Sequence, residues 1–269
     1  MTDPWANRDY LRGTQYKTDT NLAARQSIYA YQQPRIDLAA RVLDLAAPGR
    51  SSTIVDVGCG NGMYLAELAR RGFRGRVLGV DLSFGMLVGA RQRLAAAPTQ
   101  AAPAPVALAN ADATALPLRD GAADLAFAMH MLYHVPDPAD ALRELRRVTR
   151  PGGRVVIVLN GVGHLRELRA AVAEARGDPA AAVGERVGLD DGESLARSFF
   201  PRVARHDFTA ELRVPGPEPV ADYVRSMAGT GREADAERVA RTVAAAFPRT
   251  PDGYYAITSH PGCLICEVG

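Results

Sequence analysis

Between Ile54 and Gly72 the chain reads IVDVGCGNGMYLAELARRG, a β-branched run, then three glycines at alternate positions, then apolar residues at helical spacing. That order specifies a strand, a tight turn and a helix. Gly58, Gly60 and Gly62 can take positive φ and leave no Cβ between the backbone and whatever approaches it. The helix opening at Asn61–Gly62 is expected to present free N–H groups there. In open α/β sheets ligands bind outside the carboxyl ends of the strands, so this turn constrains the fold and the site together.

The chain goes on alternating. The runs TIVDVG, RVLGVD, PVALANAD, ADLAFAMH and GRVVIVLN read as strands, separated by helical patterns over 62–72, 83–97 and 138–149. Strand, helix, strand in this rhythm implies a mostly parallel sheet, doubly wound, with helices on both faces. Before it, residues 21–46 carry apolar positions at helical spacing and stop at APGR, where Pro48 and Gly49 end the helix. After Asn160 helices are expected near 163–176 and 191–200, then VARHDFTAELRV as one strand and GYYAITSHPGCLICEV as another. Two amphipathic helices over about 215–250 form a helical insertion before the last strand, placed to act as a lid. The resulting division is an N-terminal helical cap, 1–46, and a main domain, 47–269. The stretch AAAPTQAAPAPVA is a low-complexity linker.

Composition narrows the function classes. At 269 residues and 47% hydrophobic the chain can bury its own core. Lys+Arg 32 against Asp+Glu 30 leaves +2, without the clustered charge a nucleic acid needs. No run approaches the ~20 apolar residues of a membrane span, and MTDPWANRDYLRG lacks a signal-peptide core, so the expectation is a cytoplasmic protein. The cysteines, Cys59, Cys263 and Cys266, are odd in number, and the Cys263/Cys266 pair in GCLICEV has no second pair to complete a zinc site. No metal is expected.

The charge around the turn bears on the ligand. A dinucleotide fingerprint, G-x-G-x-x-G, requires glycine at position 63, where this chain has Met63. Asp56, just ahead of Gly58, would lie close to a bound pyrophosphate but matches a cationic amino group. S-adenosylmethionine offers an ammonium and a sulfonium where NAD offers two phosphates. Asp81 closes the second strand where a ribose-binding carboxylate is expected for either.

In order and spacing, VDVGCGNG, GVDLS, ADATALPL, ADLAFAMHMLYHVPDP and LRRVTRPGGRVVI resemble the successive motifs of class I S-adenosylmethionine-dependent methyltransferases. The resemblance is to the small-molecule, type 11 group that includes the ubiquinone/menaquinone methyltransferases, and it is strong over about residues 35–160. It implies a Rossmann-like α/β fold with a seven-stranded, mostly parallel sheet. It also implies that Asp56, Gly58, Cys59 and Gly60 hold the methionine part of S-adenosylmethionine. Asp81 would take the ribose hydroxyls, Leu82 the adenine face, and Asp112 the adenine amine, with Ala113 alongside. Met129 and His130 would lie near the sulfonium. Tyr16 and Arg25 would close from the N-terminal segment, Arg25 toward the cofactor's carboxylate.

For the acceptor, His130 falls at the carboxyl end of the fourth strand and is a candidate general base. Tyr133 is a candidate for the acceptor pocket, and His164, after the fifth strand, is a second candidate base. His134 reads as structural. GLDDGES, with Asp190 and Asp191, hints at a site for a cationic acceptor but reads better as a solvated helix start. The expected activity is methyl transfer to an O, N or C nucleophile of a small molecule, in secondary metabolism, by a monomer or homodimer. The competing readings are an NAD(P)-dependent oxidoreductase on a related sheet and a non-catalytic cofactor-binding subunit. A Tyr-x-x-x-Lys pair, the mark of one oxidoreductase group, is excluded because Lys17 is the only lysine.

Overall fold

A computed structural model of the chain describes residues 4–97, 106–178, 186–227 and 233–269. Parts of the linker (98–105), of the loop after residue 177 (179–185) and of the insertion (228–232) lie outside the described residues.

The strands are β1 (Gln32–Gln33), β2 (Thr53–Val57), β3 (Arg76–Asp81), β4 (Val106–Asn110), β5 (Ala123–Met129), β6 (Thr149–Asn160), β7 (Arg202–Asp207), β8 (Ala210–Val214), β9 (Tyr255–Ser259) and β10 (Pro261–Glu267). The helices are α1 (Arg8–Tyr10), α2 (Thr20–Ser27), α3 (Leu38–Ala46), α4 (Met63–Arg70), α5 (Phe84–Ala96), α6 (Pro138–Val148), α7 (Arg166–Arg176), α8 (Leu189–Arg197), α9 (Pro217–Ser226) and α10 (Glu233–Ala246). Among them none is long and apolar enough to cross a membrane.

Seven strands form the main sheet in the order β4-β3-β2-β5-β6-β10-β7, parallel from β4 to β6, with β10 antiparallel to both its neighbours. The doubly wound expectation therefore holds. Strand order reverses between β2 and β5, and the carboxyl ends of those two strands carry the glycine turn and His130. A crevice forms at such a switch point, which brings the two motifs face to face.

The sheet is packed on both faces. On one face Val55, Val57 and Ile157 join Leu142 and Leu145 of α6; on the other, Ile54, Phe127 and Val158 join Val42 and Leu43 of α3 and Leu65 and Leu68 of α4. Each such side chain contributes on the order of 1.5–3 kcal/mol by leaving water. Cys266 belongs to the first layer and Cys263 to the second, so the C-x-x-C pair points to opposite faces and both thiols are free.

A smaller sheet, β1-β8-β9, stands apart from the first. It packs with α7, α9 and α10 in a third apolar layer that includes Ile28, Leu168, Val224, Val243 and Tyr255. Here the sequence reading needs correction. VARHDFTAELRV is two strands, not one, and so is GYYAITSHPGCLICEV; each pair is divided between the two sheets, with a corner at Phe208–Thr209 and at His260. The helical pattern of 21–46 is likewise interrupted. Gln32 and Gln33 leave it to pair with β8, Pro34 follows, and Asp37 restarts a helix by accepting from Ala40 N at 3.0 Å. Thus α3, within the expected cap, packs beneath the main sheet.

Candidate active site

The turn after β2 is shaped by contact as well as by φ. Gly58 has φ 69° and a Cβ there would stand 2.7 Å from Met131 Cβ; Gly60 has φ 54° and lies under Leu22 of α2. The α4 N-cap, Gly62, makes no side-chain hydrogen bond to the helix opening, while N–H groups ahead of it are used within the protein. Those of Gly58 and Cys59 donate to Val80 O at 2.7 and 3.0 Å, that of Gly60 to Asp81 Oδ2 at 2.8 Å, and that of Gly62 to Cys59 O at 2.9 Å. With these donors spent inward, the Gly58–Gly60 stretch itself is a poor cradle for a pyrophosphate, which needs such donors.

What lies beneath the turn is an acid without a partner. Asp56 is fully buried at the end of β2, and neither carboxylate oxygen has a hydrogen-bond partner. Burial, with Asp81 adding to it, pushes its pKa up to about 8. Arg25, half-buried on α2, lies over the rings of Trp5 and Tyr16 at 5.8 and 5.3 Å, and its buried Nη2 is also without a partner. Next to it, Gln26 accepts from Asn61 Nδ2 at 3.2 Å, so α2 is seated on the turn. An acid without a partner and a guanidinium with one unpartnered nitrogen line one cleft and match the two ends of a zwitterionic amino acid.

The other residues expected on the donor side line the same cleft. Asp81 accepts from Gly60 N and from Ser83 N, each at 2.8 Å, and burial lifts its pKa to about 6 against those two bonds. Leu82, Ala113 and Met129 line the cleft. Cys59 contributes backbone: its Sγ would stand 3.0 Å from a Cβ at Gly79, and its thiol is pushed up by burial. Asp112 is already engaged, by Thr114 N and Oγ1 at 2.9 and 2.8 Å and by Arg8 at 2.9 Å. Arg8 is thus a ligand to the site that the sequence reading missed.

His130 ends β5 with φ 56°, a conformation sparsely populated by any residue but glycine. Its N–H is anchored on Val158 O at 2.9 Å, while its imidazole lines the cleft with no hydrogen-bond partner among the described residues. Burial lowers its pKa to about 4, which keeps the ring neutral at physiological pH. Its neighbours are committed. His134 Nδ1–H donates to Trp5 O at 3.0 Å, and its Nε2 accepts from Tyr16 OH at 2.8 Å. Its ring lies 4.5 Å from that of Tyr133 and stacks on Trp5. His164 Nδ1 accepts from His260 N at 3.0 Å, so the ring's proton sits on Nε2 and donates to Tyr29 OH at 2.9 Å. No lone pair on His164 faces the cleft in this arrangement. Trp5, the sole tryptophan, was read only as lacking a signal-peptide context; nothing local marks a residue whose carbonyl orients a ring 129 positions away.

The cleft encloses about 2120 Å³, beyond the ~300–1,000 Å³ usual for one small ligand, so it accommodates more than a single molecule. Asp190 pairs with Arg205 at the start of α8, and neither Asp190 nor Asp191 lines it. No group of His, Cys, Asp and Glu arranged to hold a metal occurs among the described residues.

Residues 55–157 match the family described as a methyltransferase domain. A malonyl-acyl-carrier-protein O-methyltransferase of Serratia marcescens is 32% identical over 203 residues, covering 72% of this chain and 69% of that protein. An uncharacterized 37.1 kDa protein in a Streptomyces fradiae transposon is 42% identical over 137 residues, which cover 51% of this chain and 36% of that one. Among solved structures, a phosphoethanolamine N-methyltransferase of Haemonchus contortus, in complex with phosphomonomethylethanolamine and S-adenosylhomocysteine, superposes with a TM-score of 0.61 at 19% identity, over 100% of this chain and 61% of that one. The chain belongs to the class I S-adenosylmethionine-dependent methyltransferases. Membership sets aside the oxidoreductase reading.

Proposed function

We propose that the chain transfers the methyl group of S-adenosylmethionine to an oxygen, nitrogen or carbon nucleophile of a small molecule of secondary metabolism, as a cytoplasmic monomer or homodimer. The observation that carries the donor side is the unpartnered Asp56 carboxyl and the unpartnered Nη2 of Arg25 in one cleft with His130. Asp56 would take the ammonium, Arg25 the carboxylate, Asp81 the ribose and Asp112 the adenine amine once Arg8 yields. The bound donor supplies an activated methyl group, and the protein's task is in-line positioning in a site that excludes water. The N-terminal cap 1–46 and the lid 215–250 would supply that exclusion, since Trp5 and Tyr16 from one and Tyr223 and Met227 from the other line the cleft.

His130 serves as general base in this reading, with Tyr133 shaping the acceptor pocket. His164 serves by position, its lone pair being held by His260 N. Transfer of labelled methyl to a screen of phenols, amines and hydroxy acids tests the function; tight donor binding without transfer to any acceptor favours the non-catalytic alternative. A second reading places the acceptor on an acidic carrier protein. The Serratia marcescens relative's name suggests it, and exposed Arg35 and Arg176 on the cleft lining suit it. Turnover of carrier-linked but not free acids would favour it.

A further inference from the structure

Binding the methyl donor accounts for Asp56 and Arg25 but leaves a second buried cationic nitrogen in the cleft, Nε of Arg169 on α7. Arg169 is half-buried, its Nη2 donates to Val162 O at 2.8 Å, and no carboxylate pairs with it among the described residues. Glu167, the nearest acid in sequence, is spent: its oxygens accept from Thr258 N, Thr258 Oγ1 and Arg166 Nε. A cationic N–H drawn out of water with no acceptor is costly, and such a cost is sustained where a ligand removes it. His164, also on the cleft lining, lies in electrostatic reach of both His130 and Arg169. Burial, with the charge of Arg169 among the further causes, keeps His164 neutral, with its pKa lowered to about 3.

We propose that Arg169 receives a carboxylate of the methyl acceptor, so that the acceptor is an acid whose nucleophile lies toward His130 and whose anionic end lies toward α7. One guanidinium balances the single charge of a carboxylate, whereas a phosphate carries about −1.5 to −2 and would remain undercompensated in a half-buried site. This assignment rests on the methyl-transfer reading and names its substrate class. Arg169 is a positioning and specificity residue; it touches neither the donor nor the reacting atoms.

The test separates the two claims by titrating the donor product first. Wild type, Arg169→Gln and Arg169→Lys are each titrated with S-adenosylhomocysteine. The saturated complexes are then titrated with matched probes: 4-hydroxybenzoate against 4-hydroxybenzamide, hexanoate against hexanamide, and phenyl phosphate. Wild type is expected to bind at least one acid about tenfold more tightly than its amide. Arg169→Gln should erase that preference while S-adenosylhomocysteine affinity stays within about twofold, which also shows that the variant is folded, and Arg169→Lys should restore part of it. Equal affinity for acids and amides, no binding of any acid, or a preference that survives Arg169→Gln overturns the proposal. Tighter binding of phenyl phosphate than of the acids overturns the carboxylate assignment, and lost S-adenosylhomocysteine affinity in Arg169→Gln moves the residue to the donor site. Failure of wild type to bind S-adenosylhomocysteine fells the methyl-transfer reading, and this assignment with it.

Discussion

The two halves of the cleft are made in different ways. The half proposed for the donor is built largely from backbone: a glycine turn, the ends of β2, β3 and β5, and two aspartates at the ends of those strands. The half proposed for the acceptor is built from side chains on the N-terminal segment, α7, α9 and α10, held by the small sheet and its own apolar layer. The contacts across it span great sequence distances, such as Tyr29 with His164, 135 positions apart. A backbone-made site is specified locally and admits one class of ligand. A side-chain-made site can change its ligand while the fold stays put.

If that contrast is right, variants on the two sides should separate cofactor affinity from turnover. The largest effect is expected from His130→Ala, which should lower kcat about 100-fold with S-adenosylhomocysteine affinity nearly unchanged, read by steady-state kinetics beside calorimetry. The pKa of His130, near 4, means the neutral ring is fully present above about pH 5 and is lost as pH falls through 4. His130 should therefore impose no inflection on the rate between pH 6 and 8, and an inflection there that disappears in His130→Ala would break the assignment.

On the donor side Asp81→Ala should weaken S-adenosylmethionine binding at least tenfold, roughly 1.4 kcal/mol, because it removes both the ribose acceptor and the anchor of Gly60 N. Unchanged affinity would mean that the donor lies elsewhere. Asp56→Asn should act in opposite senses on binding and folding. A carboxyl whose folded pKa is raised to about 8 holds its proton in the native state, so the ligand-free fold loses stability as pH rises from about 4 to 8. The amide removes that loss: near pH 8 the variant should melt about 2–4 °C higher than wild type, the gap closing toward pH 4, while donor affinity falls. The smallest effect belongs to Tyr16→Phe, which leaves His134 Nε2 without its donor and should raise the KM for S-adenosylmethionine a few-fold, on the order of 1 kcal/mol. A kcat effect without a KM effect would place Tyr16 with the acceptor instead.

The same contrast explains what was legible in the sequence. The strands β2 to β6 and the helices between them follow from local runs and caps such as Ser83 and Asp137, so their positions could be read directly. The split of 203–214 and 253–268 between two sheets could not, because alternation continues through Phe208–Thr209 and His260 and only tertiary pairing reveals the corners. In the site, Asp56, Asp81 and His130 sit at strand ends and are findable from spacing. Arg8 on Asp112, Trp5 on His134 and the lone Nε of Arg169 depend on where distant segments dock. The inward use of the turn's N–H groups was also hidden, since glycine spacing reports backbone freedom and not which acceptor the backbone finds.

The central claim is that the donor half holds S-adenosylmethionine by pairing its ammonium with Asp56. Calorimetric titration of S-adenosylhomocysteine at about pH 6.5, in buffers of differing ionisation enthalpy, measures the protons exchanged on binding. With the Asp56 pKa near 8 before binding and its carboxylate ionised afterwards, the account predicts release of close to one proton, reduced to near zero in Asp56→Asn. Binding with no proton released, or release that persists in Asp56→Asn, would contradict it.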